Sequence, residues 1–186
     1  SLVSQSFTYD DNGRVVRAQG PGGAWVAFAY DKLGRRTLAT RSNGVKSVWR
    51  YDAVGQVSSV VHSSASGQVL DASVYSYDDK GNRTARRFSD ETVETYAYDL
   101  MLRLVQAKRR DGSQQSFTLD TRGNRTQLVD SAKPVAAQTT TASFNDANQL
   151  RTAQNPAVSY VYDANGNLTT KVEAGVTTTL TWNADN

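Results

Sequence analysis

One pentapeptide is rewritten along the length of this chain, and that repetition limits the fold more than any other feature. Tyr-Asp, two loose residues and Gly stand at positions 9–13, 30–34, 51–55, 77–81 and 162–166. Aligned on the first residue, the anchors are Tyr9, Tyr30, Tyr51, Tyr77, Tyr98, Leu119, Phe144, Tyr162 and Trp182, spaced by 21, 21, 26, 21, 21, 25, 18 and 20 residues. A period near 20 residues means each unit is a small supersecondary element that cannot bury its own apolar face and must stack on its neighbours. The spacing predicts one array over residues 1–186, with about eight repeats and a partial ninth at Trp182. The pattern is already running at Ser1 and is cut off at Asn186, which reads as a fragment of a larger protein.

A second aromatic slot lies two residues before each anchor and holds Phe7, Phe28, Trp49, Tyr75, Tyr96, Phe117, Ala142, Tyr160 and Leu180. Of the 17 aromatics, 15 fall in these two slots; Trp25 and Phe88 do not. Residues two apart share a face in a strand, whereas a helix would turn them well away from each other. The segments leading to each anchor are therefore read as strands, with a ladder of Phe7, Tyr9, Phe28, Tyr30, Trp49, Tyr51, Tyr75, Tyr77, Tyr96, Tyr98, Phe117, Phe144, Tyr160, Tyr162 and Trp182 on one face. Rings in equivalent slots are expected to stack across strands.

The pentapeptide reads as a turn. Its acidic slot (Asp10, Asp31, Asp52, Asp78, Asp99, Asp120, Asn145, Asp163) suits a first turn position, where the carboxylate accepts backbone N–H groups two residues on. Its closing slot holds Gly13, Gly34, Gly55, Gly81, Gly123 and Gly166, the residue that a bulged three-residue hairpin needs at positive φ. Asn148 and Asn186 substitute for it, and Leu102 breaks the rule. A second turn is expected midway through each repeat, at 20–23, 42–44, 89–90, 111–112, 155–156 and 174–175, with the surplus of the long repeats at 62–70 and 130–140. The expectation is all-β: about sixteen strands in one antiparallel meander, forming a curved or spiralling open sheet. Two residues beyond the closing slot, Val15, Arg36, Val57, Arg83, Leu104, Arg125, Leu150 and Leu168 alternate apolar with Arg through most of the chain, a weak two-repeat superperiod.

Composition narrows the function classes. There is no cysteine, which removes disulfides, thiolate metal sites and a Cys nucleophile. No apolar run reaches the roughly 18 residues of a membrane span. The net charge is +3 with the arginines scattered, and Lys108-Arg109-Arg110 is followed by Asp111. That run reads as a solvated face, not a nucleic-acid groove. His62, the one histidine, sits in the Ser-rich stretch "VVHSSASG" and reads as an exposed loop residue without a nucleophile or acid beside it. The recurring aspartates offer one or two carboxylates per turn, too few for calcium. No catalytic, cofactor or metal residue is assigned.

The near-consensus segments "YDKLGRRT", "YDDKGNRT" and "YDANGNLT", at about 21-residue spacing, resemble the RHS/YD-repeat family, and the resemblance covers essentially the whole chain. Its departures are Leu102, Leu119 and the Asn residues of repeats seven and nine. The resemblance implies building material for large β-sheet shells: around a toxic domain in bacterial polymorphic toxins and insecticidal toxin complexes, or in the adhesion receptors called teneurins. It implies a structural wall and no enzyme, a secreted or cell-surface parent protein that is bacterial, and as partners the rest of the parent chain and an encapsulated toxin domain. Some members cut themselves at an aspartate motif; this chain carries no copy of it. Exposed edge strands predict self-association or strand swapping between copies. The alternative is an aromatic module that binds carbohydrate or another surface ligand, which would need rings open to solvent.

Overall fold

A computed structural model describes residues 5–154 and 157–183. The turns expected at 155–156 and at Asn186 lie outside the described residues. The chain divides into two compact units, Ser1–Val93 and Glu94–Asn186. Both are all-β and antiparallel.

The first unit runs through β1 (Ser6–Tyr9), β2 (Val15–Gln19), β3 (Trp25–Tyr30), β4 (Arg36–Arg41), β5 (Lys46–Tyr51), β6 (Val57–Ser63), β7 (Val69–Tyr77) and β8 (Arg83–Phe88), each paired with the next. The second runs through β9 (Val93–Tyr98), β10 (Leu104–Lys108), β11 (Gln114–Leu119), β12 (Arg125–Asp130), β13 (Thr139–Phe144), β14 (Leu150–Ala153), β15 (Val158–Tyr162), β16 (Leu168–Glu173) and β17 (Val176–Thr179), again in sequential order. Short 3-10 turns occupy Pro21–Gly23 and Val135–Ala137.

Two kinds of hairpin alternate. Those closed by the pentapeptide carry a bulge just before the anchor, as between Thr8 and Tyr9, Ala29 and Tyr30, Arg50 and Tyr51, Ser76 and Tyr77, and Val161 and Tyr162. The bulge follows from a closing residue in the left-handed region: Gly34 has φ 79° and Gly166 φ 88°. Leu102 (φ 62°) and Asn148 (φ 64°) take the same conformation, so Leu102 keeps the turn geometry and carries the side-chain strain of that region. Most of the other hairpins, closed by the second turns, have short ladders; β6/β7 is the long one. β2 and β3 pair only from Arg17↔Ala27 to Gln19↔Trp25, and β4 and β5 only from Leu38↔Val48 to Thr40↔Lys46. Their strands part toward the pentapeptide side.

Register decides what shares a face. Cross-strand partners give the rows Phe28–Ala39–Ser47–His62, Trp49–Val60–Ser73–Phe88 and Tyr96–Ala107–Gln115–Asp130. Equivalent rings lie two strands apart and two residues out of line, Phe28 sharing a row with Ser47 and not with Trp49, so they are not cross-strand partners. Among the described residues only five are buried, Ala39, Ser47, Ser73, Phe88 and Asp130, and all five lie in these rows. The ring face is thus the more protected face. Tyr30, Tyr51, Tyr77, Tyr98 and Tyr162 are half-buried, while Phe7 and Tyr9 on β1 are 52% and 56% exposed.

Candidate functional site

The residues singled out by the repeat converge on one bonding pattern, drawn eight times. In its simplest form Asp10 Oδ1 accepts the N–H groups of Asn12 (3.0 Å) and Arg14 (2.9 Å), and its Oδ2 meets Arg14 Nε and Nη2 at 2.7 Å each. Asp31 repeats this with Leu33 and Arg35, and Asp99 with Met101 and Arg103. In Asp78, Asp120 and Asp163 the partner four residues on is Asn82, Asn124 or Asn167, whose amide reaches Oδ2 at 2.9–3.1 Å. Asp52 accepts from Val54 and Gln56 N–H, and Asn145 pairs with Gln149. In Asp10, Asp31, Asp78, Asp99, Asp120 and Asp163 both carboxylate oxygens are occupied inside the turn, which makes these aspartates poor cation ligands. Among the described residues no group of three His, Asp or Glu converges on a metal-sized space.

In Asp10, Asp31, Asp78, Asp99, Asp120 and Asp163 these contacts hold the carboxyl below its ordinary value. In Asp10, Asp99 and Asp163 the N–H four residues on is the first cause; in Asp78 and Asp120 it is the Asn side chain. In Asp31 partial burial pushes the other way and is outweighed by the Arg35 N–H, the Arg35 side chain and the Leu33 N–H. A carboxyl whose folded value lies below its unfolded value of about 3.9 stabilises the fold fully above that pH and loses this as pH falls through the folded value. The thermal midpoint should therefore hold from neutral pH to about pH 5 and fall steeply below about pH 4. A midpoint unchanged at pH 3 in calorimetry would contradict this assignment.

The anchor tyrosines close the hairpins that part. Tyr30 Oη donates to Val15 O (2.7 Å), Tyr51 to Arg36 O (2.8 Å), Tyr77 to Val57 O (2.9 Å) and Tyr162 to Leu150 O (2.9 Å). Trp182 does the same with its indole N–H, to Leu168 O at 2.8 Å. In every case the acceptor lies two residues past the closing slot of the preceding repeat. The hydroxyl thus bridges the mouth of the short-laddered hairpin and ties one repeat to the next. Sequence reasoning gave the ring a packing role and missed the hydroxyl; the signal available was Tyr, not Phe, at most anchors. A Tyr30→Phe or Tyr77→Phe substitution should cost about 1 kcal/mol in urea unfolding, the usual worth of one such bond. Loss below a few tenths would remove the staple from the account.

Arginines interleave with the rings. Arg14 lies over Tyr30 (4.9 Å to the ring centroid) and Arg35 over Tyr51 (4.5 Å), each reaching into the following repeat. Arg36 covers Phe28 at 4.4 Å and stands 5.8 Å from Trp49. Arg83 and Arg125 cover Tyr75 and Phe117 in the same way. These three are the Arg members of the alternating slot, so the superperiod marks repeats whose second aromatic slot is capped by its own guanidinium.

Two expectations are corrected. His62 is not in a loop: the surplus of its repeat lengthens β6 and β7, the turn falls at 64–67, and half-buried His62 Nδ1 lies 2.8 Å from Ser47 Oγ. Arg41 donates to the same Ser47 oxygen at 3.1 Å. Ser47 is fully buried, so this pair is packing and not a nucleophile. Arg109 does not sit on a purely solvated run: it faces buried Asp130, which also takes Gln115 Nε2 at 2.9 Å and the Ala132 N–H. Trp25, out of register in the sequence, lies on the opposite face with Arg17 over it at 4.4 Å. An open groove of about 430 Å³ by Phe7, Ala18, Val26 and Arg41 borders Gly20, the position that holds Arg41, Phe88 or Arg109 in later repeats.

Residues 9–46 match the family model described as RHS Repeat. Among solved structures the chain superposes on TcdB2-TccC3-Cdc42 with a TM-score of 0.76 and 16% identity, over 91% of this chain and 11% of that one. For TcdB2-TccC3 without its hypervariable C-terminal region the values are 0.77 and 15%, over 94% and 12%. A Photorhabdus luminescens Tc holotoxin pore matches at 0.50 and 14%, over 91% and 13%. No curated relative matches the chain. Over residues 9–46 the chain carries the RHS repeat, and over nine-tenths of its length its fold is that of these structures. It spans about an eighth or less of the structures it resembles.

Proposed function

We propose that this chain is a wall segment: one continuous RHS/YD array, residues 1–186, that forms part of a β-sheet shell or scaffold in a larger secreted or cell-surface bacterial protein. The carrying observation is that the motif spends its chemistry on itself. The Asp carboxylates are filled by their own turns, and the tyrosine hydroxyls by carbonyls of the preceding repeat. The residues that define the repeat are its joints, and the ladder and turn residues act as structure. Likeness to the TcdB2-TccC3 fold supports this reading. By that analogy the parent encloses a toxin domain and keeps it from the cell that makes it. The exposed edge of β1, with Phe7 and Tyr9, receives a further strand, either from the parent chain or by exchange between copies.

The carbohydrate reading draws less support, because arginines cover the faces of Phe28, Tyr51, Tyr75 and Phe117 where a sugar would stack. The test is cryo-electron microscopy of the full natural protein together with a glycan array. A closed wall containing these strands around enclosed density is expected. An extended strip enclosing nothing, or specific glycan hits, would overturn the proposal.

A further inference from the structure

The hydroxyl staple is missing at two places in the second unit. The anchor of β11 is Leu119 and that of β13 is Phe144, and neither side chain can donate to the carbonyl its register offers, Leu104 O or Arg125 O. The ladders beside them are short. β10 and β11 pair only from Gln106↔Ser116 to Lys108↔Gln114, and β12 and β13 only from Gln127↔Thr141 to Val129↔Thr139. Toward the pentapeptide side each mouth is bridged by arginine. Arg103 Nη1 donates to Asp120 O (2.8 Å), and Arg122 Nη1 to Asp146 O (2.7 Å) and Asn145 O (3.4 Å). The Asn124 amide also reaches Asn148 Oδ1. Arg122 is half exposed, so this bridge is open to water. Among the described residues, the two pentapeptide turns with a non-glycine closing residue at positive φ, at Leu102 and Asn148, border the same stretch.

We propose that the β10/β11 and β12/β13 hairpins are built-in opening seams, where the second unit parts before its other strands do. A buried or half-buried hydroxyl bond resists parting from within the sheet. A guanidinium follows the turn it holds, and that of Arg122, half in water, also yields to competing water. Opening would separate Leu104 from Leu119, and Arg125 from Phe144, while the bulged hairpins on either side stay closed. Local opening of this kind is set by the few bonds that span the seam, not by the stability of the whole unit.

Native-state hydrogen exchange on the intact chain tests it. Amides flanking the two unstapled seams should exchange faster than those of β2/β3 and β4/β5, where Tyr30 and Tyr51 hold the mouth. Phe144→Tyr adds one oxygen and should slow exchange at β12/β13 about fivefold, the ratio expected for one hydrogen bond. Tyr51→Phe should speed exchange at β4/β5 by a similar factor, and Leu119→Tyr should act as Phe144→Tyr does. Equal protection of stapled and unstapled seams in the natural chain, or no slowing in Phe144→Tyr, would overturn the proposal.

Discussion

Phe88→Ala is expected to lower the unfolding free energy by roughly 3–5 kcal/mol, the usual range for a buried phenylalanine. Phe88 is 6% exposed and ends the row that begins at Trp49 and passes Val60 and Ser73. Arg86 lies over its ring at 4.2 Å and also donates to buried Ser73 Oγ at 3.0 Å. Truncation would leave a void beside a hydroxyl and a guanidinium that the ring now shields. With few buried apolar side chains in the first unit, the sheet has little else to close over the gap. Phe88→Leu should recover most of the loss. Urea unfolding reads both, and a cost for alanine under about 1 kcal/mol would mean the ring is not a keystone.

Gly44→Ala comes next, with an expected loss of about 2–4 kcal/mol from two separable causes. Gly44 has φ +81°, a conformation costly for any side chain, and a Cβ built there would lie 2.5 Å from Ala65 Cβ in the next second turn. Neighbouring turns pack so closely that a methyl group cannot enter. Gly112 has φ +82° with nothing within 4 Å of its Cβ position, so Gly112→Ala measures the backbone cost alone, about 1 kcal/mol. Ala65→Gly in the Gly44→Ala background should restore the packing share and leave the backbone share. Equal losses at Gly44 and Gly112 would show that the turns do not press on each other.

Much of this was legible in the sequence, for definite reasons. The two-residue spacing of Phe28 and Tyr30 gave strand and face, because side-chain direction in a strand depends only on parity. The Asp31-to-Gly34 piece gave the turn, because few residue types satisfy both its capping and its positive φ. Other features were hidden because they depend on the partner strand. The two-residue offset, which sets Phe28 against Ala39 and Ser47 in place of another ring, follows from the second-turn registers. His62 moved from loop to strand for the same cause, since surplus residues can lengthen a turn or the strands around it. The tyrosine hydroxyl had a sequence signal in Tyr51 and Tyr77, but its acceptor could be found only by knowing where two strands part. The bond from half-exposed Arg109 to buried Asp130 joins residues 21 apart, one period, a spacing that the charge run at 108–110 obscured.

The central claim is that anchor hydroxyls join successive repeats. It is tested most directly by replacing Tyr30, Tyr51 and Tyr77 together with Phe and measuring urea unfolding against the natural chain. The three bonds do not share acceptors, so their losses should add to roughly 3 kcal/mol, with the strand signal in circular dichroism retained before the transition. A triple variant as stable as the natural chain would contradict the account.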